Sequence, residues 1–380
     1  MPGDGLAGVA SVVGVGETDY GRDYAAARAG AGRRRDAYGF AVTAYKRALA
    51  DAGLHPGEVD GLVAGPPLAC ERVGEILGID PRWSASADHA QALTLATMAI
   101  ATGAAECVAL VYGNDQRSAG VVYGGAETPG AAQYLAYRYY APWGLTSQGA
   151  LYALMARRYM ELHGLTEAAL GAVAVHQRRH AAATPNAVMR ARVTLQDYLA
   201  SPYIAEPLRK LDYCLVNDGG VSLIVTTRDR GERLPSRPVT IDAIGRADAN
   251  AEATALRPRL LDFYHGAHER AASTAYAAAG VGPEDIRCVQ IYDSFSIHVP
   301  VALEGFGYFP RGEADAFLRG DGLARLEVNT AGGHLSGSYM QGWGHQVEAV
   351  RRLRRREGLH HVHYISDVAG KVTTVIYGKA

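Results

Sequence analysis

A glycine-rich stretch late in the chain, residues 329–345, carries the residue types best suited to chemistry. It reads NTAGGHLSGSYMQGWGH and lacks the apolar periodicity of a core strand or helix. Its glycines permit positive φ angles and a close approach of backbone to a ligand. Residues 346–356 then show helical spacing, so the stretch leads into a helix N-terminus whose free N–H groups can hold an anion or a developing oxyanion. A tight structural turn between strand and helix is the alternative.

Composition and charge argue against several classes of protein. The 380 residues are 48% hydrophobic, which is ample for a large core and typical of two domains or two fused halves. The formal net charge of -1, without a basic stripe, argues against a nucleic-acid partner. No segment approaches 18 uninterrupted apolar residues, so no membrane span is predicted and a cytoplasmic protein is expected. Neither a zinc site nor a disulfide framework is indicated by the widely spaced cysteines Cys70, Cys107, Cys214 and Cys288.

The elements that must position the stretch occur twice along the chain. A helix at 37–52 ends at Gly53, and a helix at 267–279 ends at Gly280. After each glycine come a proline, an acidic residue and a strand. Strands are predicted at 9–15, 59–63, 107–112 and 221–226, and again at 239–244, 286–292 and 372–377. This repetition indicates a duplicated βαβαβ unit with parallel strands, in two central sheets related by a pseudo-twofold axis.

The predicted halves are residues 1–230 and 239–380, joined by a charged segment with two prolines at 232–238. Residues 18–36 are polar and predicted to be a loop or a short arm. Residues 89–102 are apolar nearly all round, which indicates a helix buried inside the molecule. The alternation breaks at 114–211, a long insertion in the first half of the kind that usually serves function. Packing at a dimer face or lining an apolar tunnel is expected for its tyrosines, Tyr123, Tyr134, Tyr137, Tyr139, Tyr140, Tyr152 and Tyr159.

The duplicated α/β halves, the insertion and the NxxGG loop together resemble the thiolase superfamily, in its sterol-carrier or lipid-transfer branch. The stretches that carry the resemblance are VVGVGETDYGR at 12–22, YALMARRY at 152–159, VAVHQRRH at 173–180 and NDGG at 217–220. The resemblance implies a thiolase-like α/β fold with five layers, αβαβα, and a loop subdomain in the first half. It also implies a homodimer that acts on acyl-CoA thioesters, with no metal and no cofactor other than the coenzyme A of the substrate.

The catalytic positions of a thiolase hold other residues in this chain. The position of the cysteine nucleophile, at the head of the buried helix, falls at Ser86, for which His89 would be the nearby base. The second family motif matches YDSF, with Tyr292 at the histidine position. The third places Tyr339 at the histidine ten residues after the NxxGG asparagine. The late acid/base cysteine aligns with Ser366.

This pair of tyrosines resembles the bacterial steroid side-chain-cleaving aldolases of the lipid-transfer type. The resemblance implies retro-aldol cleavage of a β-hydroxyacyl-CoA to a ketone and a short acyl-CoA, with Tyr292 and Tyr339 as the acid and the base. It also implies a small partner protein with a zinc ribbon and an OB-fold. Such a reaction needs a base for the β-hydroxyl, donors for the enolate and an acid for the α-carbon, but no cysteine. A tyrosine that serves as base would need a depressed pKa.

Two other functions stay open: a thiolase-like acyltransferase or condensing subunit that uses a partner's nucleophile, and a non-catalytic acyl-CoA or lipid-binding scaffold. Both tyrosines are predicted to point into one cleft at the head of the helix 89–102, with Gly332 and Gly333 as its floor. Asp293 could equally cap a helix, and His345 could be satisfied by backbone. The residues predicted to bind substrate or an oxyanion are Asn329, Gly332, Gly333, Asp293, His345 and Ser86.

Overall fold

The structure, a computed structural model, describes residues 4–30, 35–123, 140–145, 147–249, 253–254, 257–258, 264–368 and 370–379. Tyr134, Tyr137 and Tyr139 of the insertion lie outside the described residues. The main sheet consists of β1 Ala10–Glu17, β2 Gly61–Ala64, β3 Trp83–Ser86, β4 Cys107–Asn114, β5 Gly219–Thr227, β6 Val239–Asp248, β7 Cys288–Ile291, β8 Glu327–Val328, β9 His361–Val368 and β10 Lys371–Lys379. The α-helices are α1 Tyr20–Ala29, α2 Ala37–Ala52, α3 Cys70–Leu77, α4 His89–Ala101, α5 Gln148–His163, α6 Glu167–Ala183, α7 Leu195–Ala200, α8 Arg228–Arg233, α9 His265–Ala279, α10 His298–Gly305, α11 Ala314–Arg319, α12 Gly322–Arg325 and α13 Trp343–Arg355.

The two sets of five strands have the same order. From the edge inward, the first set runs β3-β2-β4-β5-β1 and the second runs β8-β7-β9-β10-β6. In each set the two outer pairings are parallel and the two inner ones antiparallel. The predicted duplication of the fold is therefore confirmed, while the division of the chain at 230 and 239 stays a prediction.

Two details of the predicted sheets were wrong. The sets are joined into one sheet by an antiparallel pairing of β1 with β6, at Ser11–Thr240 and Val12–Val239. The strands are also not all parallel, because β9 and β10 are separated by residues 369–370 alone, and so short a connection can only form a hairpin. The insertion of the first half occupies the equivalent connection, between β4 and β5.

The molecule is built in five layers. Helix α2 packs on the outer face of β1, β4 and β5, and α9 packs in the same way on β6 and β10. Helices α4 and α13 contact strands of both halves and form the central layer. Most of the apolar residues of α4 are covered by these strands, and Leu93 and Ala96 are fully buried, although Met98 is 46% exposed.

Each outer helix approaches its sheet at a glycine. A Cβ atom on Gly16 would lie 2.1 Å from the carbonyl oxygen of Ala44, and one on Gly245 would lie 2.1 Å from that of Ala271. Ala44 and Ala271 stand the same number of residues before the glycines that end α2 and α9. The halves therefore share this close helix–strand contact as well as their strand order.

The segment 18–36, predicted as a loop, contains helix α1 instead. Asp19 accepts a hydrogen bond from the backbone N–H of Arg22 at 3.0 Å, and Gly30 ends the helix in the left-handed conformation. These N-terminal and C-terminal signals outweigh the weak apolar pattern between them. In the part of the chain that the structure describes, no helix is both long and apolar enough to cross a membrane.

Two buried histidines predict a fold that is sensitive to acid. Burial lowers the pKa of His176 and His363 to about 3, from a usual value of 6.5. Between these pH values the unfolded chain binds more protons than the folded one, so stability falls as the pH falls. Each histidine contributes about 1.4 kcal/mol per pH unit to this slope. Asp212 acts in the opposite sense, because burial raises the pKa of its carboxyl to about 6.

We therefore expect the free energy of unfolding to decrease between pH 7 and pH 5. Urea titrations at several pH values measure it, and the His363→Gln variant should show a shallower slope because one titrating group is gone. Equal stability at pH 7 and pH 5 would contradict the assignment of neutral, buried imidazoles.

Candidate active site

The glycine-rich stretch connects β8 to α13 and is held in one shape by the insertion. Residues 333–337 form a π-helical turn, and the glycines at 332, 333 and 342 have positive φ angles. The backbone N–H groups of Val188 and Met189 donate to the carbonyls of Gly337 and Ser336, at 2.8 and 3.0 Å. The guanidinium of Arg178 donates to the Ser336 hydroxyl at 2.9 Å. The loop is therefore a rigid element and not a mobile connection.

Tyr292 and Tyr339 meet in one place, and their hydroxyl oxygens lie 3.2 Å apart. The backbone N–H of Tyr292 donates to the carbonyl of Ile365 at 2.8 Å, which fixes it beside β9. Tyr339 is held from the first half: its N–H donates to Asn217 Oδ1 at 2.7 Å, and Asn114 Nδ2 donates to its carbonyl at 3.4 Å. The structure thus brings the two tyrosines together, and their catalytic role stays a prediction.

Neither tyrosine has the depressed pKa that a free phenolate base would need. Burial raises the pKa of Tyr292 well above 10, and the neighbouring Tyr339 raises it further. Burial likewise raises the pKa of Tyr339, with a contribution from Cys214. Both phenols are therefore protonated at neutral pH, and any base chemistry here must pass a proton through a phenol without forming a lasting phenolate.

Asp293 and two histidines form a buried network beneath the tyrosines. Asp293 Oδ1 accepts hydrogen bonds from the backbone N–H of His334 at 2.9 Å and from His345 Nε2 at 3.0 Å. The His334 ring packs edge-on to both tyrosines, with centroids 4.7 Å from Tyr292 and 4.9 Å from Tyr339. Burial lowers the pKa of His334 well below 6.5, so this ring is a neutral spacer that sets the distance between the two phenols.

Within the described residues, Asp293, His334 and His345 form the one group with ligand atoms close enough to share a metal ion, within 4.8 Å of one another. Two imidazoles and a carboxylate suit a transition metal. The hydrogen bonds oppose this use, however. The backbone N–H of Gly342 donates to His334 Nε2 at 2.9 Å, which assigns the ring proton to Nδ1. A protonated Nδ1 has no lone pair for a metal, so the group fits a hydrogen-bond network better.

The asparagine and the glycines of the NxxGG loop make structural contacts that the sequence did not predict. Asn329 Oδ1 accepts from the N–H of Ile291 at 2.6 Å, and its Nδ2 donates to the carbonyl of Ile291 at 3.0 Å. This amide therefore holds the end of β7, and the predicted role of Asn329 at an oxyanion stays a prediction. A Cβ on Gly333 would lie 2.4 Å from Asp293 Oδ2, and one on Gly332 would lie 2.6 Å from Ala181. The two glycines let the loop fit between Asp293 and α6, and their place as the floor of the cleft stays a prediction.

Ser86 contacts a residue of another part of the first half, and its predicted role in binding substrate stays a prediction. It is exposed at the end of β3, with its hydroxyl 3.6 Å from Cys70 Sγ, and Cys70 packs in the outer core of the first half. Helix α4 begins at His89, so His89 takes the position at the head of the buried helix. Its ring centroid lies 5.2 Å from that of Tyr292.

Other residues of the site were missed by sequence reasoning. His298 Nδ1 donates to the carbonyl of Tyr292 at 3.1 Å, and its ring lies 4.6 Å from that of Tyr152. Cys214 donates its N–H to the carbonyl of Ser294 at 3.0 Å, directly behind the YDSF motif. The NDGG stretch gave a signal for Asn217, since an amide before two glycines suits a buried loop contact. No comparable pattern marks His298 or Cys214.

Comparisons with known proteins agree with this architecture. A family model described as Thiolase C-terminal domain-like matches residues 251–369. A 17-hydroxy-3-oxo-4-pregnene-20-carboxyl-CoA lyase of Mycobacterium tuberculosis is 33% identical, over 92% of this chain and 92% of the relative. A steroid side-chain-cleaving aldolase of Thermomonospora curvata is also 33% identical, over 92% of this chain and 91% of the relative.

Solved structures lead to the same family. An Ltp2-ChsH2(DUF35) aldolase superposes with a TM-score of 0.87 at 30% identity, over 98% of both chains. Human mitochondrial 3-ketoacyl-CoA thiolase superposes with a TM-score of 0.72 at 15% identity, a likeness of fold alone. The chain belongs to the thiolase superfamily, in the family of the steroid side-chain-cleaving aldolases.

Proposed function

We propose that this protein is a carbon–carbon lyase that cleaves a β-hydroxyacyl-CoA by a retro-aldol reaction. The observation that carries the proposal is the hydrogen bond between the hydroxyls of Tyr292 and Tyr339. One phenol takes the proton of the substrate's β-hydroxyl as it passes its own proton to the second phenol. The second phenol protonates the α-carbon. Because each phenol gives one proton and gains one, no phenolate persists, in keeping with the raised pKa of both side chains.

The bonds of the reaction balance without a redox step or a covalent acyl-enzyme. The O–H bond breaks, the ketone C=O forms and the bond between the α- and β-carbons breaks. The electron pair of that bond moves toward the thioester, which takes on enolate character, while the second phenol protonates the α-carbon in the same step. Burial raises the pKa of Cys214, which lies beside the tyrosines, to about 12. A thiol with that pKa is protonated and a weak nucleophile.

The substrate class follows from the relatives. The compound named for the Mycobacterium tuberculosis relative has a hydroxyl on carbon 17 and a carboxyl-CoA on carbon 20. Its hydroxyl is therefore β to the thioester, and retro-aldol cleavage would give a 17-ketosteroid and propionyl-CoA. We infer a steroid acyl-CoA of this kind for the present chain, with no metal and no cofactor other than the coenzyme A of the substrate.

The partners and the compartment are inferred in the same way. One solved relative is a complex with a DUF35 protein. We infer a small DUF35-type partner with a zinc ribbon and an OB-fold for this chain, together with a homodimer of the chain itself. A CoA thioester substrate favours the cytoplasm. Light scattering of the purified chain, alone and with a DUF35 protein, measures both associations.

The test is incubation of the protein with a 17-hydroxysteroid 20-carboxyl-CoA, with a DUF35 partner present. Mass spectrometry of the products should find the ketone and the short acyl-CoA in equal amounts, and intact-protein mass spectrometry should find no acyl adduct. An adduct on Ser86 or a cysteine would favour the acyltransferase instead. Tight binding of the thioester without turnover would favour the scaffold.

A further inference from the structure

His89 stands at the meeting point of the two halves and has no part in the proton relay. It is the first residue of α4, and its ring is half-buried beside Tyr292, on the first half's side of the site. From the second half, the hydroxyl of Tyr364 lies 3.3 Å from its Nδ1, and the hydroxyl of Ser366 lies 3.5 Å from its Nε2. The imidazole thus contacts the site from the side where the positive end of the helix dipole lies.

The hydrogen bonds assign the position of the ring proton. The backbone N–H of Ala90 donates to His89 Nδ1 at 2.7 Å, so this nitrogen is an acceptor and the proton of the neutral ring is on Nε2. Burial lowers the pKa of His89 to about 3, so the ring is neutral at pH 7. At 3.5 Å, the contact from Nε2 to Ser366 is too long to be a strong hydrogen bond, so the donor can serve an incoming oxygen.

We propose that the Nε2–H of His89, with the Ser366 hydroxyl beside it, binds the carbonyl oxygen of the acyl-CoA thioester and stabilises the enolate. This inference rests on the proposed retro-aldol function. The thioester C=O becomes a C–O⁻ as the electron pair of the broken carbon–carbon bond arrives. A neutral imidazole at a helix N-terminus donates a hydrogen bond to that oxygen without transferring its proton. The two tyrosines then transfer the protons, and His89 stabilises the negative charge on the thioester oxygen.

The experiment follows enolate formation separately from cleavage. Exchange of the α-hydrogens of propionyl-CoA with D₂O, measured by NMR, needs the enolate but no β-hydroxyl. The α-proton goes to the second phenol as that phenol passes its own proton through the first to a solvent water, and a deuteron returns by the same route. The His89→Leu variant fills the volume and has no N–H, so exchange and single-turnover cleavage should both slow by about 10²–10³-fold, with the Kd of the acyl-CoA little changed. His89→Gln supplies an amide N–H and should stay within about 10-fold of the wild type.

The controls separate this role from a merely structural one. The His363→Gln variant also loses a buried, neutral imidazole, but in the outer core of the second half, where His363 forms a hydrogen bond with Tyr308. Exchange of the α-hydrogens should be unchanged in this variant. Wild-type exchange in a folded His89→Leu variant would overturn the proposal. If the His89→Leu variant does not fold, the Ser366→Ala variant is measured instead. It should slow exchange by about 10-fold, and exchange at the wild-type rate in this variant would also overturn the proposal. A wild-type protein with His89-dependent exchange but no cleavage of any β-hydroxyacyl-CoA would refute the lyase function and leave the role of His89 standing.

Discussion

Replacement of Tyr292 or Tyr339 by phenylalanine is expected to lower kcat by about 10²–10⁴-fold. The aromatic ring keeps its packing against His334, and only the hydroxyl that passes the proton is lost. The free energy of unfolding should change by about 1 kcal/mol, the usual contribution of one hydrogen bond. Measurement of kcat on a β-hydroxyacyl-CoA together with urea unfolding separates the two effects.

The double variant gives the sharper result. Because the phenols form one relay through a 3.2 Å hydrogen bond, removal of the second hydroxyl should cost little once the first is gone. The Tyr377→Phe variant serves as control: its buried hydroxyl donates to Gln346 at 2.9 Å, outside the cluster of the site, and turnover should be unchanged. Wild-type turnover in both single variants would mean that the tyrosines are packing residues, and fully multiplicative losses would rule out a single relay.

Substitution of Gly342 by alanine is expected to abolish activity at least as completely as either tyrosine change. A Cβ there would lie 2.2 Å from the hydroxyl of Tyr364, 3.0 Å from Tyr292 Cδ2 and 3.2 Å from His89 Cγ. Tyr364 is fully buried and has no room to withdraw. The φ angle of 82° at Gly342 adds backbone strain to the collision. We expect the site to be displaced and the protein to lose about 1–3 kcal/mol of stability.

The Gly280→Ala variant separates these two costs. Gly280 ends α9 with a φ of 66°, and a Cβ there would meet nothing within 4 Å. Alanine at this position therefore carries the strain of a left-handed residue without the collision, and should cost about 1 kcal/mol with turnover unchanged. Activity in the Gly342→Ala variant within 10-fold of the wild type would show that Tyr292 and His89 tolerate displacement, which would weaken the geometric argument for both.

The sequence predicted the fold better than the side-chain network of the site. Helix ends, prolines and acidic residues recur at matching places because each half satisfies the same local rules, so the duplication could be recognised from the pattern. The mixed direction of the strands could not be recognised from the pattern, because a run of buried β-branched residues is the same in a parallel and an antiparallel pairing. Helix α1 was missed because its signals, Asp19 and Gly30, flank a segment with little apolar periodicity.

Motif position predicted the meeting of Tyr292 and Tyr339 but misjudged their neighbours. Counting along the chain assigned Ser86 to the head of the buried helix. In the structure β3 ends at Ser86 and α4 begins at His89, so His89 is the residue at the head of the helix. Asn329 reads as a ligand-binding amide in sequence, and only the structure shows both of its polar atoms on Ile291. The pKa of the tyrosines depends on burial by distant segments, which no local pattern records.

The central position of α4 has a consequence for how the protein is made. One side of this almost wholly apolar helix packs against β10, which follows about 270 residues later in the chain. At about 5–20 residues per second, a ribosome takes roughly 10–50 s to bridge that gap. During this time the first half emerges with an apolar face that only the second half can cover. The growing chain is thus a natural client for a chaperone that binds nascent polypeptides, and slower translation would lengthen the exposure.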